Sequence, residues 1–270
     1  MTVLVTGATG NVGSQVVHEL QAVGAPVRAF VRDAGKLTGV EVAVGDFSDP
    51  ASIRRALAGV DRVFLSSADG PDKVAHEAAA VDAAAAAGVE LIVKASTMYA
   101  QLGSPLKPLD WNARSEQHLK ASGVPAVILA SGFYMTNVLG AVRERLLPAP
   151  AGDGAVAMID PRDVAAVAAV ALTGDDHAGR TYRLTGPEAI TYAAIAEVLG
   201  AEYVDVPPEV ARRGFEAAGM PGWLVDHLDG AFALIRSGAL AETTDVVRDL
   251  TGREPRDFAA FAHRRMAALM

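Results

Sequence analysis

The chain has 270 residues, 51% of them hydrophobic, with 24 basic against 32 acidic side chains and a formal net charge of −8. That length supports one large α/β domain or a domain with an appended lobe, and an acidic balance without a basic cluster argues against nucleic-acid binding. Cysteine is absent, which removes disulfide and thiolate chemistry; with no apolar run of roughly 18 residues and no legible secretory leader, a cytoplasmic protein without membrane contact is expected.

In chain order, Val3–Thr6 reads as a buried strand and Val12–Val23 as a helix, with Gly7-Ala8-Thr9-Gly10-Asn11-Val12-Gly13 joining them. Strand, glycine turn, helix is the context that a dinucleotide-binding loop requires. Gly7 supplies the tight turn, Gly10 lets backbone N–H groups approach a pyrophosphate, and Gly13 allows close packing of helix on strand. The phosphates then meet a helix N-terminus, where unpaired N–H groups and the dipole favour negative charge. A glycine-rich turn with no ligand is the alternative, and the flanking strand and helix argue against it.

Val27–Arg32 reads as the second strand. At its end an acidic side chain would bind a ribose 2′-OH, whereas an arginine accommodates a 2′-phosphate. Arg32, with Lys36 close by, favours NADP(H) over NAD(H), while Asp33 leaves a ribose contact open. Glu41–Val44 is a short third strand, followed by Asp46 and Phe47, where a carboxylate can accept from an adenine amino group. Asp49 is placed to cap a helix over Pro50–Ala58. The fourth strand, Arg62–Ser67, ends in Ser66-Ser67-Ala68, small residues that let the backbone pass a cofactor. A helix Asp72–Ala87, a strand Glu90–Ala95, a helix Leu109–Ala121 and a strand Ala126–Leu129 follow. This alternation implies an α/β, Rossmann-like, doubly wound parallel sheet near the order 3-2-1-4-5-6, with ligands at its carboxyl edge. Lys94 is unusual inside its apolar strand: either a cation near the nicotinamide ribose or one that snorkels to the surface.

After residue 130 the rhythm changes. Gly132–Leu147 reads as helical, 148–154 as a loop and Ala155–Ile159 as a strand. Asp163 is placed to cap a helix Val164–Thr173; a strand Tyr182–Thr185 and a helix Tyr192–Leu199 come next. The last 60 or so residues read as mostly helical, ending in Asp257–Ala268. The expected division is a dinucleotide-binding domain over 1–150 and a smaller, mostly helical substrate lobe over 151–270, interwoven with the sheet. The histidines show no metal-ligand spacing, so no metal site is expected.

Several segments together resemble one family. The loop Gly7–Gly13, Val31-Arg32, Gly45-Asp46, Leu129–Asn137, Leu184–Glu188 with Tyr192–Ala196, and Leu250–Phe258 are similar to the NmrA-like, triphenylmethane-reductase-like branch of atypical short-chain dehydrogenases, which includes NADPH-dependent quinone reductases. The resemblance implies that Ser131, Gly132 and Phe133 belong to the segment closing over the nicotinamide. In the wider family a Ser precedes a Tyr-x-x-x-Lys pair in which Tyr donates a proton to a carbonyl oxygen. Ser96 stands at the right place, but Leu109–Lys120 contains no Tyr, and Trp111 and Ser115 stand roughly where Tyr and Lys would be. A His-x-x-x-Glu pair frequent in the branch reads Asn112-Ala113-Arg114-Ser115-Glu116 here. A quinone or cationic dye accepts hydride without an obligatory enzyme acid, whereas an ordinary ketone benefits strongly from a donor. The expectation is therefore an NADPH-dependent reductase of a conjugated, electron-poor small molecule, monomeric or homodimeric, with Ser96, Tyr99 and Tyr134 as candidate donors. A non-catalytic NADP(H)-binding redox sensor acting through a protein partner is the second expectation.

Overall fold

The computed structural model describes residues 1–267; within them the side chains of Lys36, Met266 and Ala267 are left undescribed, and Ala268, the expected end of the last helix, lies outside the described residues. Its elements are β1 (Val3–Val5), α1 (Gly13–Ala22), β2 (Val27–Val31), β3 (Glu41–Val44), α2 (Pro50–Ala56), β4 (Arg62–Leu65), α3 (Lys73–Ala87), β5 (Leu91–Thr97), α4 (Lys107–Ala121), β6 (Ala126–Ser131), β7 (Phe133–Tyr134), β8 (Leu146–Ala149), β9 (Ala155–Ile159), α5 (Pro161–Thr173), β10 (Thr181–Leu184), β11 (Ala189–Thr191), α6 (Tyr192–Val198), β12 (Glu202–Asp205), α7 (Pro208–Ala217), α8 (Gly222–Arg236), α9 (Val246–Thr251) and α10 (Phe258–Ala267).

The chain divides into two units. The first comprises residues 1–104, 108–131 and 161–183, and the second residues 105–107, 132–160 and 184–270. A single cut near residue 150 therefore does not describe the molecule. Helix α5, assigned by sequence to the C-terminal lobe, belongs to the first unit.

In the first unit seven strands form one sheet in the order β10-β6-β5-β4-β1-β2-β3. The pairs from β3 through β6 are all parallel, with Val3 opposite both Val27 and Arg62, and Lys94 opposite both Leu65 and Ile128. The central strands are near-continuous apolar runs because helices cover both faces. On one face Leu4, Phe30, Val63, Leu65 and Ile92 pack with Ile53, Val81, Ala84 and Leu119 of α2, α3 and α4. On the other, α1 lies beside α5, whose Val164, Val167, Ala168, Ala171 and Leu172 are wholly buried. Asp49 caps α2 as its position predicts, accepting from Ala51 N at 3.0 Å. Asp163 does not cap α5: that helix starts at Pro161, a favoured first-turn position, and Asp163 is buried within its first turn.

In the second unit β7 pairs parallel with β9, β11 antiparallel with β9, and β12 parallel with β8. Of the helix expected over 132–147 only a short 3-10 turn, Met135–Val138, forms. Glu144 and Arg145 hold left-handed backbone angles (φ 49° and 63°), which end helical propagation, and alternating burial along β8 marks a strand paired with β12. The C-terminal lobe is mostly helical, as expected, with short strands between its helices.

Candidate functional site

The turn between β1 and α1 is built around what its glycines lack. Gly7 holds φ +61°, and a Cβ there would lie 2.9 Å from the Ser66 carbonyl oxygen. At Gly13 a Cβ would come within 2.2 Å of the Gly7 carbonyl oxygen, so only glycine lets α1 approach the turn this closely. The Gly10 N–H donates to Gly7 O at 2.8 Å and closes the loop. Thr9, Gly10 and Asn11 are exposed at its tip, whereas Ala8 and Val12 point inward, so any contact they offer a ligand is through backbone. Val12, the residue preceding α1, supplies no side-chain cap. The glycines thus bring the turn tightly against the N-terminus of α1 and its dipole, and these residues fit a pyrophosphate.

Thr6 ties this turn to the end of β4. Its Oγ1 accepts from Ser66 N at 2.8 Å and lies 2.9 Å from Ser66 O, to which it can donate. Gly45 is likewise demanded by packing, since a Cβ there would meet the Phe30 ring at 2.5 Å and Ser52 at 2.6 Å.

At the end of β2, Arg32 and Asp33 are both exposed. Asp33 Oδ1 accepts from Gly35 N at 2.9 Å and caps the short turn 34–36. Its carboxylate serves the chain's own turn, which leaves Arg32 as the cation at this strand end. The Lys36 side chain lies outside the described residues. Asp46 accepts from the Ser48 hydroxyl (2.6 Å) and backbone N–H (2.8 Å); these bonds, with Arg32 and His76 close by, hold its carboxyl below the usual range. Phe47 meets Phe30 edge-on (centroids 5.7 Å apart) and stacks on His76 (5.9 Å, 22° between planes). His76 was not singled out from sequence; its place on the first turn of α3 was the available signal.

The carboxyl ends of β4 and β5 hold a buried polar seam. Lys94 is 0% exposed and its Nζ lies 3.0 Å from Glu77 Oε2, Asn112 Oδ1 and the Ala95 carbonyl oxygen. Two hydrogen bonds, to Asn112 and Ala95, and the ion pair with Glu77 hold the ammonium inside, so Lys94 does not snorkel to the surface. Glu77, 1% exposed, also takes Lys73 Nζ (3.0 Å) and the Ser67 hydroxyl (2.8 Å) on Oε1. Burial alone would raise its carboxyl; the two ammonium groups and Ser67 outweigh that and bring it to about 2. Ser96 Oγ donates to the Glu116 carboxylate. That bond turns the Ser96 hydroxyl toward α4. Sequence reasoning missed Lys73 and Glu77, although two charges four apart in an alanine-rich helix were legible.

Tyr99 lies half-buried just past β5, and Ser131 ends β6 with its hydroxyl buried and its carbonyl accepting from Met98 N at 3.0 Å. In the second unit Gly132 N–H donates to Leu184 O at 2.8 Å, and half-buried Phe133 and Tyr134 form β7. Among the described residues no group of three His, Asp or Glu is arranged to hold a metal ion, and no helix is long and apolar enough to cross a membrane.

A model of the NmrA-like family matches residues 1–220. An NAD(P)H azoreductase of Xenophilus azovorans is 38% identical, with 98% of each chain covered. A (4-alkanoyl-5-oxo-2,5-dihydrofuran-3-yl)methyl phosphate reductase of Streptomyces griseus is 40% identical over 95% of each. Among solved structures, the NADPH-dependent quinone oxidoreductase of Escherichia coli complexed with NADPH superposes with a TM-score of 0.87 at 28% identity, covering 98% of this chain and 100% of that one.

Proposed function

The chain belongs to the NmrA-like family, and on that premise we propose that it is an NADPH-dependent reductase passing hydride to a quinone-like or other conjugated, electron-poor acceptor without a Ser-Tyr-Lys triad. It is an NAD(P)H-dependent oxidoreductase, as are the azoreductase and quinone oxidoreductase to which it is similar. The observation that carries the reading is the turn: at Gly7 and Gly13 a side chain would clash with backbone, so only glycine folds it this tightly onto the start of α1, and Arg32 stands exposed just past the end of β2.

When bound, the reduced nicotinamide supplies the hydride. The chain's own residues do the rest. The turn Gly7–Gly13 holds the pyrophosphate, Arg32 takes the 2′-phosphate, and Asp46 and Phe47 face the adenine. Ser66, Ser67 and Ala68 let the backbone pass the cofactor at the sheet edge. Ser131, Gly132 and Phe133 are assigned to the nicotinamide end. The candidate donors are Tyr99, Tyr134 and Ser96, its hydroxyl turned to Glu116, and an acceptor that takes its proton from water after hydride arrival needs none of them.

Loss of NADPH absorbance on mixing with a panel of quinones and azo dyes tests this. Turnover with at least one conjugated acceptor and none with simple ketones is expected. Tight NADPH binding with no turnover on any acceptor would overturn it in favour of a redox sensor.

A further inference from the structure

Three charged side chains in the interior of the first unit, Lys73, Glu77 and Lys94, take part in none of these roles. An apolar replacement of a buried ion pair is commonly neutral or stabilising, so packing alone does not call for them. What they grip is specific. The Ser67 hydroxyl donates to Glu77, and Lys73 Nζ lies 3.4 Å from the Ser67 carbonyl oxygen. Ser66, one residue earlier, is held on its N–H and carbonyl by Thr6, the residue before Gly7. The two residues beyond β4 are thus fastened between the glycine turn and α3. Lys94 carries the bracing onward to Asn112 of α4 and to Ala95, beside Ser96.

We propose that Lys73, Glu77 and Lys94 are positioning residues for the nicotinamide-riboside half of the cofactor. They fix Ser67 with its hydroxyl hydrogen turned inward to Glu77 and one lone pair of its oxygen facing Lys73 Nζ at 3.5 Å, which leaves the other to accept from a ribose hydroxyl or the carboxamide N–H. Because a carboxylate only accepts, Glu77 enforces that polarity, and the two lysines keep it a carboxylate. The inference rests on the reading that NADPH lies across the carboxyl edge of the sheet.

Fluorescence titration with NADPH and with adenosine 2′,5′-bisphosphate, which lacks the nicotinamide half, tests it in the full chain. Ser67→Ala and Glu77→Gln are each expected to raise the Kd for NADPH about tenfold, with the bisphosphate Kd held within about twofold. In the Ser67→Ala background, Glu77→Gln should add little further loss. An NADPH Kd unchanged in Ser67→Ala, which keeps the charged cluster intact, overturns the proposal. So do equal losses for both ligands in Glu77→Gln, the mark of a loosened fold. A wild-type chain that binds neither ligand overturns the cofactor reading itself, and this proposal with it.

Discussion

The glycine turn and the seam beneath β4 and β5 lie in the same unit and are built on opposite principles. In the turn, function comes from atoms that are missing: at Gly7 and Gly13 a single added carbon would collide with backbone. In the seam, function comes from atoms in an unfavourable place, with Lys94 and Glu77 almost wholly removed from water. The first tolerates no addition. The second tolerates no unmatched removal. A shape constraint can be lost one atom at a time, whereas a charge constraint fails when one partner leaves the other stranded.

The largest expected effect strikes the seam. Lys94→Met leaves Glu77 buried with only Lys73 opposite it and should destabilise by about 3–5 kcal/mol in urea melts, while the paired change Lys94→Met with Glu77→Met should cost much less. An equal cost for both variants would place the seam's value in packing rather than charge. Acid gives a slightly smaller effect. Glu77 is lowered in the folded chain to about 2 from 4.5. Its contribution, about 3 kcal/mol, is therefore present above pH 4.5 and lost as pH falls toward 2. Melts at about pH 6 and about pH 3 should show the doubly apolar variant losing less stability than wild type.

The turn answers to a different probe. Gly13→Ala should cost about 1–3 kcal/mol of stability and abolish detectable NADPH binding, because α1 must move off the turn. Smallest is Arg32→Glu, which should leave the melt unchanged and weaken NADPH about tenfold or more relative to NADH. An unchanged preference would remove Arg32 from the 2′-phosphate.

The same contrast explains what the sequence revealed. Gly7, Gly10 and Gly13 announce themselves because the turn depends on local spacing between one strand and one helix, and Glu41–Val44 and Ala155–Ile159 fall where their apolar patterns place them. Lys94 stood out only as an anomaly. Its partners come from α3 and α4, 17 and 18 positions away, and nothing local links Glu77 to Asn112. Asp33 reads equally well as a ribose ligand or a turn cap until the Gly35 N–H is seen bonded to it. The segment after Gly132 misled for a similar reason. Its apolar spacing suits a helix, and only the partner strand β12, more than 50 residues on, makes β8 a strand.

The return of α5 and β10 to the first unit sets the rules for recombining this chain with its relatives. A chimaera made by one splice near residue 150 would carry a foreign α5 against the native α1, mismatching a buried helix pair. Exchange of the second unit alone calls for junctions between Ser131 and Gly132, Asp160 and Pro161, and Arg183 and Leu184, with the short stretch 105–107 exchanged as well.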